Sequence, residues 1–189
     1  MNNQEYLTQR KWSDQFIPQI EKVIIQHFLA DQHLRKEMFK IDVSSPEDDF
    51  RGIDGFLRLN TNIKIAFRLR KNQYLKYKDF TFRYHSRYQQ VTEWKKIQEP
   101  TLHYYFYGWL DQYDEYIQEA YLLDMNLFRN WISSKPETFI VGTLKENKDG
   151  SSFVPFSVNI LHENDLLIEP PFVWNHECDI FGNYLFWKN

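Results

Sequence analysis

Asp54 stands in the run Gly52-Ile-Asp-Gly-Phe-Leu-Arg58-Leu59, where Ile53, Gly55, Leu57 and Leu59 alternate with Asp54, Phe56 and Arg58 in the manner of a strand. Aspartate is disfavoured in mid-strand. A carboxylate taken out of water there is costly unless it is paired or bound to a metal ion. After the turn-like Leu59-Asn-Thr-Asn62, a second run alternates, with Ile63, Ile65, Phe67 and Leu69 on one face and Lys64, Ala66, Arg68 and Arg70 on the other. If the two runs pair as a hairpin, Lys64, Arg68 and Arg70 share a face with Asp54. Asp54 then either forms an ion pair with one of those arginines or holds a cation, while the guanidinium groups are suited to a bidentate grip on phosphate.

The cations continue past the hairpin. Arg68, Arg70, Lys71, Lys76, Lys78, Arg83 and Arg87 crowd the short stretch 68–88, with Tyr74, Tyr77, Tyr84 and Tyr88 among them. Cations that meet phosphate and rings that stack on unpaired bases suit a nucleic-acid groove. Lys64, Lys71, Arg83, Arg87 and Lys96 are the expected backbone contacts. The competing reading is a solvated β surface with tyrosines at its edge.

Several elements must position these groups. Residues 12–39 read as a helix, since Trp12, Phe16, Ile20, Val23, Ile24, His27 and Phe28 recur at three- and four-residue spacing. Ser13 is a candidate N-cap, and Pro18 sits in the first turn or kinks it. Strands are expected over 52–59, 63–70, 80–84, 102–109 and 117–124, and a short helix over 91–98. Asp124 is placed to cap a helix beginning Met-Asn-Leu-Phe, and Asn147-Lys-Asp-Gly150 signals a hairpin turn. The ending after Pro170-Pro171 carries no clear period.

The layout resembles the PD-(D/E)XK nuclease-like superfamily, and more narrowly a phage-associated group within it. The stretches that carry the resemblance are RKWSDQFIPQI, EDDFRGID, KIAFRLRK, FTFRYHS, TEWKKI, YFYGW, LLDMNLFRNW and DGSSFVPF, which together span most of the chain. The resemblance implies a restriction-endonuclease-like fold and hydrolysis of phosphodiesters with Mg²⁺ or Mn²⁺. Metal and lysine would orient water and stabilise charge on the phosphate. Asp54 would be the metal ligand, and few further carboxylates would be required. The pattern departs at one point: the Glu-x-Lys position is occupied by Arg68-Leu69-Arg70. Arginine is not a general base near neutral pH. The missing acid would then be Glu93, near the start of the helix after the core strands, or Glu21 on the first helix, with Asp49 as a further metal ligand from the loop. The bland alternatives are a dipole-favouring first-turn acid for Glu93 and a surface residue for Glu21.

Bulk properties bound these readings. The chain has 189 residues, enough for one domain with its own core, and a formal net charge of -3, so any basic field is local. The single Cys178 builds neither a disulfide nor a cysteine zinc site within the chain, and the polar start lacks a signal-peptide stretch, so a cytoplasmic protein is expected. His176, Glu177, Cys178 and Asp179 are adjacent in a tail and do not converge on one ion, and His27, His85 and His103 read as packing residues. Neither GxGxxG nor GxxxxGK[ST] is present, which argues against a nucleotide-hydrolysing motor or a dinucleotide site, and no GxSxG elbow points to an α/β-hydrolase.

The expectation is an α/β domain with a mixed central sheet flanked by helices, a core over 1–135 and a β-rich extension over 136–189 packed on it. The expected function is nucleic-acid binding, DNA first, with metal-dependent cleavage by Asp54, Glu93, Arg68 and Arg70. The alternative is a catalytically inactive module of the same fold that holds nucleic acid or a host-defence protein. A homodimer is compatible with the resemblance.

Overall fold

The computed structural model describes residues 11–24, 41–43, 55–58, 62–85, 92–98 and 100–173. They form a mixed α/β arrangement in which two sheets share one core. The larger sheet contains β1 (Ile41–Val43), β2 (Gly55–Arg58), β3 (Asn62–Arg70), β5 (Tyr104–Leu110), β6 (Ile117–Asp124) and β9 (Leu167–Val173), in the order β1-β2-β3-β5-β6-β9. Only β3 and β5 run parallel; the other pairs are antiparallel. The smaller sheet is antiparallel and has the order β4-β8-β7, made of β4 (Asp79–His85), β8 (Ser152–Ser157) and β7 (Lys145–Glu146).

The alternation of β3 decides what each face of the larger sheet meets. Ile65 and Leu69 are buried against α1 (Ile17–Val23), with Phe106, Leu110, Ile117 and Leu122 completing that layer. On the other face, Ala66 joins Tyr105, Tyr107 and Trp109 of β5 and Phe80 and Phe82 of β4 in a second, larger core. This core also takes Phe128 and Ile132 of α3 (Met125–Ser133) and Ile97 of α2 (Glu93–Ile97). Burying apolar surface on both faces supplies most of the driving force.

Pro18 lies in the first turn of α1, where a missing N–H costs nothing. Residues 25–39 of the longer expected helix lie outside the described residues. Asp124 does cap α3: its Oδ1 accepts from the Asn126 and Leu127 amides at 2.8 and 3.0 Å. The Asp149-Gly150 turn joins β7 to β8, with Gly150 at φ +80, where a Cβ would be strained.

The strand over FTFRY forms, but it leaves the sheet to which the preceding run belongs. A 3-10 helix (Asn72–Tyr77) and Lys78 in the left-handed region (φ 46) redirect the chain after β3, and β4 pairs with β8 instead. Two further helices, α4 (Glu137–Thr143) and α5 (Val158–Glu163), flank β7 and β8 in sequence. Residues after 135 therefore supply β7 and β8 to the smaller sheet and β9 to the edge of the larger one, where Pro170 and Pro171 are tolerated. Among the described residues no helix is long and apolar enough to cross a membrane.

Candidate anion-binding site

The smaller sheet has two unlike faces. Phe80 and Phe82 of β4 and Val154 and Phe156 of β8 point into the shared core. The alternate residues Asp79, Thr81, Arg83, Phe153 and Pro155, with Lys145 of β7, line a cavity of roughly 440 Å³ on the other side. Arg68, Arg70, Tyr74, Tyr77 and Asn147 complete it. Register explains part of the convergence. Phe153 is the partner of Arg83 on one side and of Lys145 on the other, so the two cations flank one ring across three strands. At about 4.8 Å per strand their backbones stand about 10 Å apart. Both side chains project from exposed positions, and neither forms an ion pair with any described residue.

Arg68 and Arg70 enter from β3, past the edge of β4 that no strand pairs among the described residues. Arg68 Nη1 donates to the Thr81 carbonyl oxygen at 3.1 Å and forms an ion pair with Glu93. The same Glu93 Oε2 accepts the Arg83 backbone N–H at 2.9 Å. The pair thus engages two main-chain groups on the edge of β4 away from β8, of which the part-buried Thr81 carbonyl is the costlier to leave unpaired. Arg70 Nη1 donates to Thr81 Oγ1 at 3.2 Å, and its guanidinium lies 4.2 Å from the centroid of the Tyr74 ring. Thr81 Oγ1 in turn lies 3.1 Å from the buried Tyr107 hydroxyl, which fixes its orientation.

Charge coupling follows this geometry. Burial would raise the Glu93 carboxyl, but the Arg68 charge, the Arg83 amide and the Arg83 charge hold it below the usual carboxylate value. Burial would lower the Arg68 guanidinium, but Glu93, Tyr107 and Tyr105 together outweigh it and move it upward. Burial raises the Asp79 carboxyl, and the opposing pull of Arg70 and Arg68 does not cancel that.

No family model matches the chain, and no curated protein matches it.

The structure brings together Arg68, Arg70 and Arg83 of the expected residues and sets Glu93 directly behind them. The remainder are elsewhere. Glu21 is on α1, across the larger sheet from Glu93, so the two are not placed to share one ion. Lys71 forms an ion pair with Asp114 at 3.2 Å in the β5–β6 turn. Lys64 precedes Arg68 on the same face of β3, outside the cavity lining, and its backbone N–H donates to His103 Nδ1 at 3.0 Å, which gives that histidine a structural role. Lys96 is on α2, also outside the lining. Asp49, Asp54 and Arg87 lie outside the described residues.

Lys145, Asn147 and Phe153 were not among the expected site residues. The signal that reaches them is the shared alternation of FTFRY and SFVPF, which marks two strands that each bury one face.

Glu93 Oε2 is engaged by Arg68 and by the Arg83 amide, and Asp79 stands among guanidinium groups. No group of three metal-ligating side chains occurs among the described residues. A cluster of cations beside three rings is suited to an anion with an attached planar or apolar group.

Asp79 opposes such an anion. Asp79→Asn is expected to tighten binding of inorganic phosphate several-fold at pH 7, read by calorimetry. The sign for stability is also set: a carboxyl raised in the folded state stabilises below its ordinary value of 3.8, and that contribution is lost as pH rises through the folded value. Asp79→Asn should therefore raise the melting temperature at neutral pH and leave it nearly unchanged below pH 3.8. Weaker phosphate binding in the variant would give the carboxylate a positive role in the site.

Proposed function

We propose that this chain is a nucleic-acid-binding module, with DNA the expected partner, and that the pocket holds phosphate rather than hydrolysing its esters. The observation that carries this is the convergence of Arg70, Arg83 and Lys145 on one cavity, while Glu93 is committed to Arg68 and to the β4 edge. Tyr77, 58% exposed at the cavity, offers a face for an unstacked base. The resemblance to the PD-(D/E)XK superfamily supports the same reading: a mixed sheet whose Glu-x-Lys position has become Arg68-Leu69-Arg70 keeps phosphate contacts and loses the lysine and second acid of the chemistry. A reducing cytoplasm is the compartment this reading expects.

The test is fluorescence anisotropy with labelled single-stranded and duplex DNA across a salt series. Binding should weaken steeply with salt. The Arg83→Gln, Lys145→Gln double variant should lose two phosphate contacts, which flattens the slope of log K against log salt by about 1.4–1.8. An unchanged slope and affinity would remove the pocket from DNA binding. Cleavage that requires Mg²⁺ or Mn²⁺ and disappears in Asp54→Ala would replace the binding module with a nuclease.

A further inference from the structure

The cavity carries more information than a general affinity for DNA. We infer that it takes a phosphomonoester, the phosphorylated end of a strand with its terminal nucleotide, in preference to a phosphodiester within the strand. The inference rests on the nucleic-acid reading above and specifies what that site recognises. Its first support is charge. Arg68 and Glu93 cancel, and within the lining Arg70, Arg83 and Lys145 supply three positive charges against one negative charge at Asp79, which leaves two; Asp149, outside the lining, is within electrostatic reach of Arg83 alone among these cations. A phosphodiester carries one negative charge, whereas a phosphomonoester carries about 1.5–2 near neutral pH and presents three strong acceptor oxygens.

The second support is the placement of donors. Arg70 reaches the cavity from β3, and Arg83 and Lys145 stand on either side of Phe153, while Asn147 at the β7–β8 turn already donates one amide hydrogen to Ser151 Oγ at 2.9 Å. Donors on several sides suit the three terminal oxygens, and a guanidinium adds a bidentate fork.

The third is size. A cavity of roughly 440 Å³ is in the range of small-molecule sites and admits one nucleotide, not a duplex. Phe153, Pro155 and the second face of Tyr77 are the apolar surfaces left for that nucleotide, since Arg70 covers the Tyr74 ring and Lys76 Nζ stands 5.0 Å from the Tyr77 centroid.

The experiment uses the full chain and single-stranded DNA of one sequence with an internal label, carrying a 5′-phosphate, a 3′-phosphate or neither. Deoxynucleoside monophosphate and inorganic phosphate serve as competitors. One phosphorylated end should bind at least about tenfold tighter than the unphosphorylated strand, as expected for added hydrogen bonds to a charged group. The preference should collapse in Arg70→Gln and, independently of any folding defect near β3, in the exposed variant Arg83→Gln. The monophosphate should compete better than inorganic phosphate. Equal binding of all three strands would overturn the inference and leave the nucleic-acid reading standing. Binding of the monophosphate with no binding of any strand would do the reverse, identifying a free nucleotide as the source of the phosphomonoester. Failure to bind either would overturn both.

Discussion

Phe82→Ala is expected to lower the free energy of unfolding by about 3–5 kcal/mol, the range for truncating a large buried aromatic. Phe82 is 0% exposed, and its ring lies 5.3 Å from Tyr105, 5.6 Å from Phe128 and 6.0 Å from Phe156 between centroids. Those residues belong to β5, α3 and β8, so one side chain joins the smaller sheet to the larger sheet and to the helix beside it. The neighbouring rings are themselves buried and packed on one another, Phe128 against Phe156 at 5.3 Å, and have little freedom to collapse into the vacated space. A value in the upper part of the range follows. For a chain of this size the melting temperature should fall by on the order of 10 °C. Thermal and urea denaturation measure it. A shift of only about 2 °C would mean that the two sheets do not share the core described above. The outer face of the same sheet carries Arg83, Phe153 and Lys145, so affinity for phosphate should fall in the variant as the sheet loosens.

What the sequence made visible was local. The period of two in Ile63–Arg70 separates Ile65 and Leu69 from Arg68 and Arg70, because that alternation needs no knowledge of the partner strand. The β2–β3 hairpin is antiparallel as its turn suggests, and the register that puts Phe56 opposite Lys64 gives those two residues a common face. Asp124 is a cap for reasons contained within four residues. The identity of distant partners was not visible. FTFRY shows a strand with one buried face, yet nothing in those residues says that it pairs with β8, more than sixty residues later, in preference to β3. That choice creates the cavity, since it brings Lys145 and Phe153 beside Arg83. The meaning of Arg68 was hidden for the same reason. Its type and position allow phosphate binding, but the open edge of β4 and the first turn of α2 turn it toward Glu93. Pro170 and Pro171 obscured β9, because proline argues against a central strand and is neutral only at an edge, and edge position is a property of the assembled sheet.

Glu93→Gln should move stability and phosphate affinity in opposite directions, and that opposition separates a structural glutamate from a chemical one. Breaking a buried ion pair costs about 3–5 kcal/mol, and exposed pairs contribute up to about 1. With Arg68 and Glu93 side chains 22% and 32% exposed, a loss of about 2 kcal/mol is expected at pH 7. The pH dependence follows from the lowered Glu93 carboxyl. The unfolded chain takes up the proton near the ordinary value of 4.5 and the folded chain only below it, so the contribution is present above pH 4.5 and disappears as pH falls through the folded value. Wild type and Glu93→Gln should therefore converge in acid. Arg68→Met in the Glu93→Leu background should recover much of the loss, because two apolar groups leave no unpaired charge at the β4 edge. Affinity responds differently. Once Glu93 is neutral, Arg68 adds one more positive charge to the excess at the cavity, and phosphate or phosphorylated DNA should bind several-fold tighter to the folded fraction. A glutamate that served as a catalytic acid or metal ligand would yield a variant with lost turnover and no gain in anion affinity. Denaturation curves paired with calorimetric titration of inorganic phosphate distinguish the two: lower stability with tighter binding assigns Glu93 to the scaffold that holds β4 open-edged beside the pocket, and lower stability with weaker binding returns it to the site itself.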